Sequence, residues 1–159
     1  MTIKISYLKE KMRQALNSTK RVISEDFSII NEKKISANDN RSEMIKVENL
    51  SSPEDFIRLR AEFDTSALEK KFSNKEIFKK NLPKNPSCKA LYILAEKARY
   101  ELLGFQMLKG IEKNLTQNYY QMMNAKKEHK INTKEDVIVS EAFELYLLKN
   151  FQKIKLNSL

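Results

Sequence analysis

The sequence predicts a mainly α-helical domain built around one long central helix, with a small β-hairpin near the N-terminus. From position 53 onward, helix-start residues and apolar residues at helical spacing dominate, whereas β-branched residues partly alternate between positions 21 and 48. The chain contains only two glycines, and both fall inside the longest helical pattern. Its 159 residues correspond to a single domain, over 1–159, that is large enough to bury a core.

The N-terminal part of the chain is predicted to form a helix followed by the hairpin. Residues 3–16 carry an apolar stripe at helical spacing, which predicts a helix. Residues 21–30 are rich in β-branched side chains, residues 31–42 are polar and turn-like, and residues 43–48 alternate again. These segments predict a β-hairpin over 21–48. It must pack on helices, because a two-stranded hairpin is only marginally stable alone.

A second helix is predicted to begin where a capping residue precedes a proline. Ser52 can cap the helix, Pro53 suits its first position, and the two acids that follow favour the positive end of the helix dipole. The apolar spacing carries this helix through Phe63. Thr65 or Ser66 can then cap a shorter helix that reaches about Phe72.

Three further helical segments complete a helical region over 53–151. Asn74 can open a turn that reaches Lys80, and the two prolines after it form a stiff connector. Ser87 is predicted to cap the central helix. A last helix is predicted to start near Thr133 and to end near Phe151.

Gly104 and Gly110 lie inside the predicted central helix, around residues 90–115. A glycine inside a helix costs about 1 kcal/mol relative to alanine. We therefore interpret both glycines as points of close approach, where another helix or a partner packs without room for a Cβ atom. The alternative is a broken helix in which one glycine is a C-cap. The first interpretation predicts steric overlap for Gly110→Leu.

The net charge of +9 raises nucleic-acid binding as an alternative function. Two features weaken it. Lysines outnumber arginines 24 to 6, whereas base and phosphate recognition favours the bidentate guanidinium. The basic residues also look scattered along the sequence. We expect no nucleic-acid partner.

Residues with catalytic or metal-binding chemistry are sparse. Cys88 is the only cysteine and His129 the only histidine, which excludes a zinc site built from these residues alone and gives little support to a Cys–His nucleophilic pair. Two glycines cannot form a glycine-rich phosphate loop. No apolar run is long enough for a membrane span, and a lone cysteine suits the reducing cytoplasm. We therefore predict a cytoplasmic protein with no catalytic, cofactor or metal site of its own.

One central motif resembles a known family. Glu96, Ala98, Arg99, Glu101 and Gly104, followed by Gly110, Asn114 and Leu115, are similar to the motif of the N-terminal region of the CobT subunit of aerobic cobaltochelatase. Arg58 and Arg60, followed by Asp64, resemble an upstream segment of that family. The resemblance covers nearly the whole chain, although only the central motif is specific.

The resemblance implies a role in cobalamin (vitamin B12) biosynthesis, in which cobalt is inserted into hydrogenobyrinic acid a,c-diamide. In that family a AAA+ ATPase subunit hydrolyses ATP, a large subunit binds the corrin, and the CobT subunit docks on the ATPase ring. The complex would use ATP, magnesium and cobalt. The sequence carries neither the acidic linker nor the von Willebrand A domain of the full-length family. It therefore suggests a non-catalytic assembly module, with a homo-oligomer left open.

The resemblance also selects the residues expected to support assembly. These are Arg58, Arg60, Glu96, Ala98, Arg99, Glu101, Gly104, Gly110, Asn114 and Leu115.

Overall fold

The computed structural model describes residues 2–25, 50–128 and 139–151, and these form six helices. In chain order they are α1 (Thr2–Ser24), α2 (Pro53–Phe72), α3 (Lys75–Lys80), α4 (Pro86–Met107), α5 (Lys109–Glu128) and α6 (Val139–Asn150). The mainly α fold class agrees with the sequence prediction.

The predicted N-terminal hairpin is wrong. Its first residues, 21–24, belong to α1, and no strand occurs in the three described ranges. Glu25 forms a turn after α1, and residues 26–48 of the predicted hairpin lie outside the described ranges. Ile23 explains the error: its β-branched side chain favours a strand locally, yet it lies one heptad after Leu16, and both are buried against neighbouring helices. Tertiary packing overrides the weak local preference for a strand.

The predicted long central helix is two helices, α4 and α5, separated at Leu108. The backbone of Leu108 is extended, with φ −143° and ψ 118°. Its N–H donates to the carbonyl of Gly104 at 3.0 Å, and its own carbonyl accepts from Ile111 at 3.0 Å and Glu112 at 3.2 Å. The helix is therefore broken, as the alternative interpretation held, but neither glycine is its C-cap.

Two predicted helix starts, at Ser52 and at Asn74, are confirmed. Ser52 caps α2 in a reciprocal capping box: its hydroxyl accepts from the Asp55 N–H at 3.1 Å, and its own N–H donates to the Asp55 carboxylate at 3.2 Å. Asn74 caps α3 as predicted.

Other boundaries differ from the sequence prediction. Asn85, rather than Ser87, caps α4. Helix α2 is continuous through Thr65 and Ser66, because the face that follows them is buried and holds the helix together. The predicted start at Thr133 lies outside the described residues.

Helix α2 is the hub of the domain, since it packs against α1, α4 and α5, while α4 also packs against α5 and α6. The main core lies where α2, α4 and α5 meet, and α1 closes one side through a smaller cluster. The main core contains Ile23, Ala61, Ala67, Leu68, Tyr100, Ile111, Leu115, Tyr119 and Leu148. The smaller cluster contains Leu16, Leu59 and Phe63.

Candidate assembly site

Glu101 on α4 is completely buried at the centre of the three-helix junction. Its Oε1 accepts a hydrogen bond from the Thr65 hydroxyl of α2 at 2.8 Å, and its Oε2 accepts one from the Tyr119 hydroxyl of α5 at 2.5 Å. Burial, and next the charge of Glu101, raise the pKa of Tyr119, so its hydroxyl stays protonated as a donor. One carboxylate therefore joins all three helices.

Asp64 precedes Thr65 and is the second buried carboxylate, with 1% of its surface exposed. Its Oδ2 accepts from Asn114 Nδ2 at 2.8 Å and from Arg60 Nε at 3.3 Å. Burial raises the pKa of Asp64, and the hydrogen bond from Asn114 and the charge of Arg60 oppose that shift. Because the net shift is upward, the ionised carboxylate is less favourable in the folded chain than in the unfolded one.

The raised pKa of Asp64 predicts a pH dependence of stability. The folded state binds this proton more tightly than the unfolded state, so the Asp64 contribution is most favourable below its ordinary pKa of 3.8 and is lost as pH rises through the folded value. In Asp64→Asn, one amide oxygen can still accept from both donors. Urea unfolding should show the free energy of unfolding of the variant, relative to the parent, increasing as pH rises from 4 to 7.

Asp55 provides a control of opposite sign. The hydrogen bond from the Ser51 hydroxyl, 2.8 Å long, is the largest cause that lowers the pKa of Asp55. The parent therefore gains stability from this group as pH rises towards 3.8, and Asp55→Asn should lose relative stability over that acidic interval. Parallel pH profiles for the two variants would contradict the assignment of Asp64.

A third polar contact fixes the end of α2 on α4. Arg99 binds Glu96 through Nε at 2.7 Å and through Nη2 at 2.8 Å, and it also donates to the Phe72 carbonyl at 2.7 Å. Ser73, the C-cap of α2, donates its hydroxyl to Glu96 at 2.5 Å. The hydrogen bond from Arg99 is the largest cause that lowers the pKa of Glu96. The pair satisfies helix-end groups that would otherwise need water.

The two glycines have opposite environments. A Cβ atom at Gly104 would lie 2.5 Å from Leu68 Cδ1 and 2.7 Å from Cδ2, so α2 approaches α4 where a side chain would not fit. A Cβ atom at Gly110 would meet nothing within 4 Å. The predicted close approach is confirmed for Gly104. It is wrong for Gly110 within the described chain, so the steric overlap predicted for Gly110→Leu is not expected there.

Most of the predicted assembly residues lie where α2 packs on α4 and α5, and of these Glu96 and Arg99 lie where the end of α2 meets α4. The full set is Arg60, Glu96, Arg99, Glu101, Gly104, Asn114 and the buried Leu115. Arg58 instead lies on the surface, where it pairs with Asp55 at 2.8 Å. Ala98 is half-buried and Gly110 is exposed. An assembly role for these residues stays a prediction, since the contacts described are within the chain.

Sequence reasoning missed the partners that complete the junction, namely Leu68, Thr65, Ser73 and Tyr119. Thr65, Ser73 and Tyr119 lie 18 to 36 residues from the polar groups that they bind, and Leu68 is equally distant in sequence from Gly104, so no local spacing signals these contacts. Asp64 had two usable signals: it belongs to the upstream segment that resembles the family, and it lies four residues after Arg60 on a helix.

Neither a metal cluster nor a membrane helix is found where the structure can be described. No group of three or more histidine, cysteine, aspartate or glutamate side chains lies close enough there to hold a metal ion. No helix in the same ranges combines the length and the apolar character needed to cross a membrane.

Comparison with known proteins decides the family. The family model described as cobalamin biosynthesis protein CobT matches residues 8–151, from α1 to the end of α6. The chain belongs to the CobT family. No curated protein and no solved structure matches it. The CobT match confirms the predicted family resemblance. Membership of the CobT family implies a role in cobalamin biosynthesis that is related to the cobaltochelatase.

Proposed function

We propose that this chain is a non-catalytic assembly subunit of the ATP-dependent aerobic cobaltochelatase. It would support insertion of cobalt into hydrogenobyrinic acid a,c-diamide by docking on the AAA+ ATPase subunit, beside the large corrin-binding subunit. The complex would use ATP and magnesium, with cobalt as its substrate, in the cytoplasm. The observation that carries the proposal is the CobT match over residues 8–151.

The structure supports docking at the break between α4 and α5. The buried carboxylates Glu101 and Asp64 already have hydrogen-bond partners inside the chain, so a partner protein would contact exposed groups instead. At the break, Leu108 is 47% exposed and Gly110 offers open space beside it. An apolar side chain next to a position without a Cβ atom can receive a protruding partner group.

Reconstitution tests the proposed function. The purified chain should bind the ATPase subunit in sedimentation velocity. Its addition to the ATPase and corrin-binding subunits, with ATP, magnesium, cobalt and the corrin, should increase cobalt insertion measured by the corrin absorbance. Absence of both binding and stimulation would contradict the proposal.

Gly110→Leu tests whether the break is the docking surface. The new side chain would fill open space, so the melting temperature should be retained while affinity for the ATPase subunit falls about tenfold by steric exclusion. Lys149→Leu, which adds an apolar side chain at an exposed position of α6, is the matched control and should bind like the parent. Equal affinity of both variants would exclude docking at Gly110 and leave reconstitution as the test of the function itself.

A further inference from the structure

Most of the net charge of the chain lies in one short stretch. Residues 70–89 contain seven lysines and one acid, Glu76, which gives +6 of the total +9. The stretch contains no arginine. The basic residues are therefore less scattered than the sequence pattern indicated.

The fold gathers this stretch along the first half of α4. The Phe72 carbonyl accepts a hydrogen bond from Arg99, and the Ser73 hydroxyl donates one to Glu96. The ring of Phe78 packs against the ring of Tyr92, with centroids 5.3 Å apart. As the chain advances from 72 to 78, its contacts move from 99 back to 92. Helix α3 and the connector after it therefore share one end of the domain with the start of α4.

Five lysines at this end are exposed, and we call them the lysine corner: Lys75, Lys79, Lys80, Lys84 and Lys89. Within the part of the chain that the structure describes, no carboxylate makes an ion pair with any of them. The Glu96 carboxylate is nearby, but it already accepts hydrogen bonds from Arg99 and Ser73. The corner is thus a concentrated positive surface that attracts a negatively charged partner.

Apolar side chains are exposed on the helices that carry these lysines. Ile77 is 58% exposed beside Phe78, and Ile93 is 44% exposed beside Tyr92. The rings of Phe78 and Tyr92 pack against each other at an interplanar angle of 36°, so one side of each ring is already covered. Lysines with exposed aliphatic groups, in a stretch that contains no arginine, fit an acidic polypeptide better than a nucleic acid.

We propose that the lysine corner is a docking surface for an acidic segment of a partner protein that also carries an aliphatic anchor. The carboxylates of the partner would lie on the lysines, and its aliphatic residue would cover Ile77. This surface is separate from the α4–α5 break, and the proposal does not rest on the function proposed above.

Fluorescence anisotropy with the full chain tests this surface. The probe is a labelled helical peptide with glutamates on one face and leucines at helical spacing on the other. The second probe is the same peptide with each leucine replaced by serine, and the third is a labelled DNA duplex. Binding to anionic phosphatidylglycerol vesicles is measured separately by co-sedimentation. The leucine peptide should bind about fivefold more tightly than the serine peptide, because it covers exposed apolar surface. Its affinity should fall as salt rises.

Matched charge variants locate the binding surface. The triple variant Lys75→Gln, Lys79→Gln and Lys80→Gln should weaken peptide binding about tenfold. The triple variant Lys109→Gln, Lys113→Gln and Lys149→Gln removes the same charge from exposed sites elsewhere and should weaken it less than about twofold. Ile77→Ser should remove the preference for leucine, and circular dichroism checks that each variant keeps its helix content.

Several results would overturn the proposal. One is an equal loss of peptide affinity in the two triple variants. Another is an unchanged preference of Ile77→Ser for the leucine peptide over the serine peptide, and a third is no binding of the leucine peptide by the parent chain. Tighter binding of DNA or of vesicles than of the peptide would assign the corner to those partners instead.

Discussion

Gly104→Ala is expected to lower the free energy of unfolding by about 2 kcal/mol, which corresponds to about 4–8 °C in melting temperature. The new methyl group would overlap both terminal carbons of Leu68, at 2.5 and 2.7 Å. Leu68 is completely buried, so neighbouring side chains prevent it from turning away. The greater helix propensity of alanine offsets only about 1 kcal/mol of the strain.

Gly110→Ala is the matched control, because it makes the same change in open space. Without a clash, the gain in helix propensity should raise stability by up to about 1 kcal/mol. Thermal unfolding of the two variants should therefore give shifts of opposite sign.

A double variant identifies the cause of the loss. In a Leu68→Ala background the colliding atoms are absent, so adding Gly104→Ala should be neutral or stabilising, although Leu68→Ala alone costs about 2–5 kcal/mol. The same cost for Gly104→Ala in both backgrounds would show that Leu68 is not responsible.

The sequence predicts features that depend on neighbouring residues. Ser52 and Asn74 start helices because their side chains bind backbone groups two or three positions ahead, and such spacing is visible in the sequence. The motif that identifies the family also includes Glu101 and Asn114, which the structure places at the helix junction.

Features that depend on distant contacts were missed. The two glycines raised a broken helix as an alternative, but leucine is a good helix former, so nothing local places the break between α4 and α5 at Leu108. Asn114 and Asp64 bind across 50 residues, and Thr65 and Glu101 across 36. The need of Asn114 for a buried partner could be inferred from its helix face, but the identity of that partner depends on how α2 packs.

Glu101→Ala should lower the free energy of unfolding by about 3–5 kcal/mol. It removes an acceptor from the hydroxyls of Thr65 and Tyr119 and leaves a cavity at a site with no exposed surface. Glu69→Ala, at an exposed position of α2, is the control and should change stability by less than about 0.5 kcal/mol. Urea unfolding measures both.

Glu101→Gln separates the lost hydrogen bonds from the lost volume. The glutamine amide keeps the shape of the Glu101 side chain, and its oxygen can accept a hydrogen bond from one of the two hydroxyls. Its NH₂ group then faces the other hydroxyl, so the free energy of unfolding should fall by about 1–2 kcal/mol. The double variant Glu101→Gln with Tyr119→Phe also lacks the Tyr119 hydroxyl. Its loss of free energy of unfolding should therefore be smaller than the sum of the losses in the two single variants. Strict additivity would mean that the 2.5 Å contact between Glu101 and Tyr119 contributes no coupling energy to the junction of the three helices.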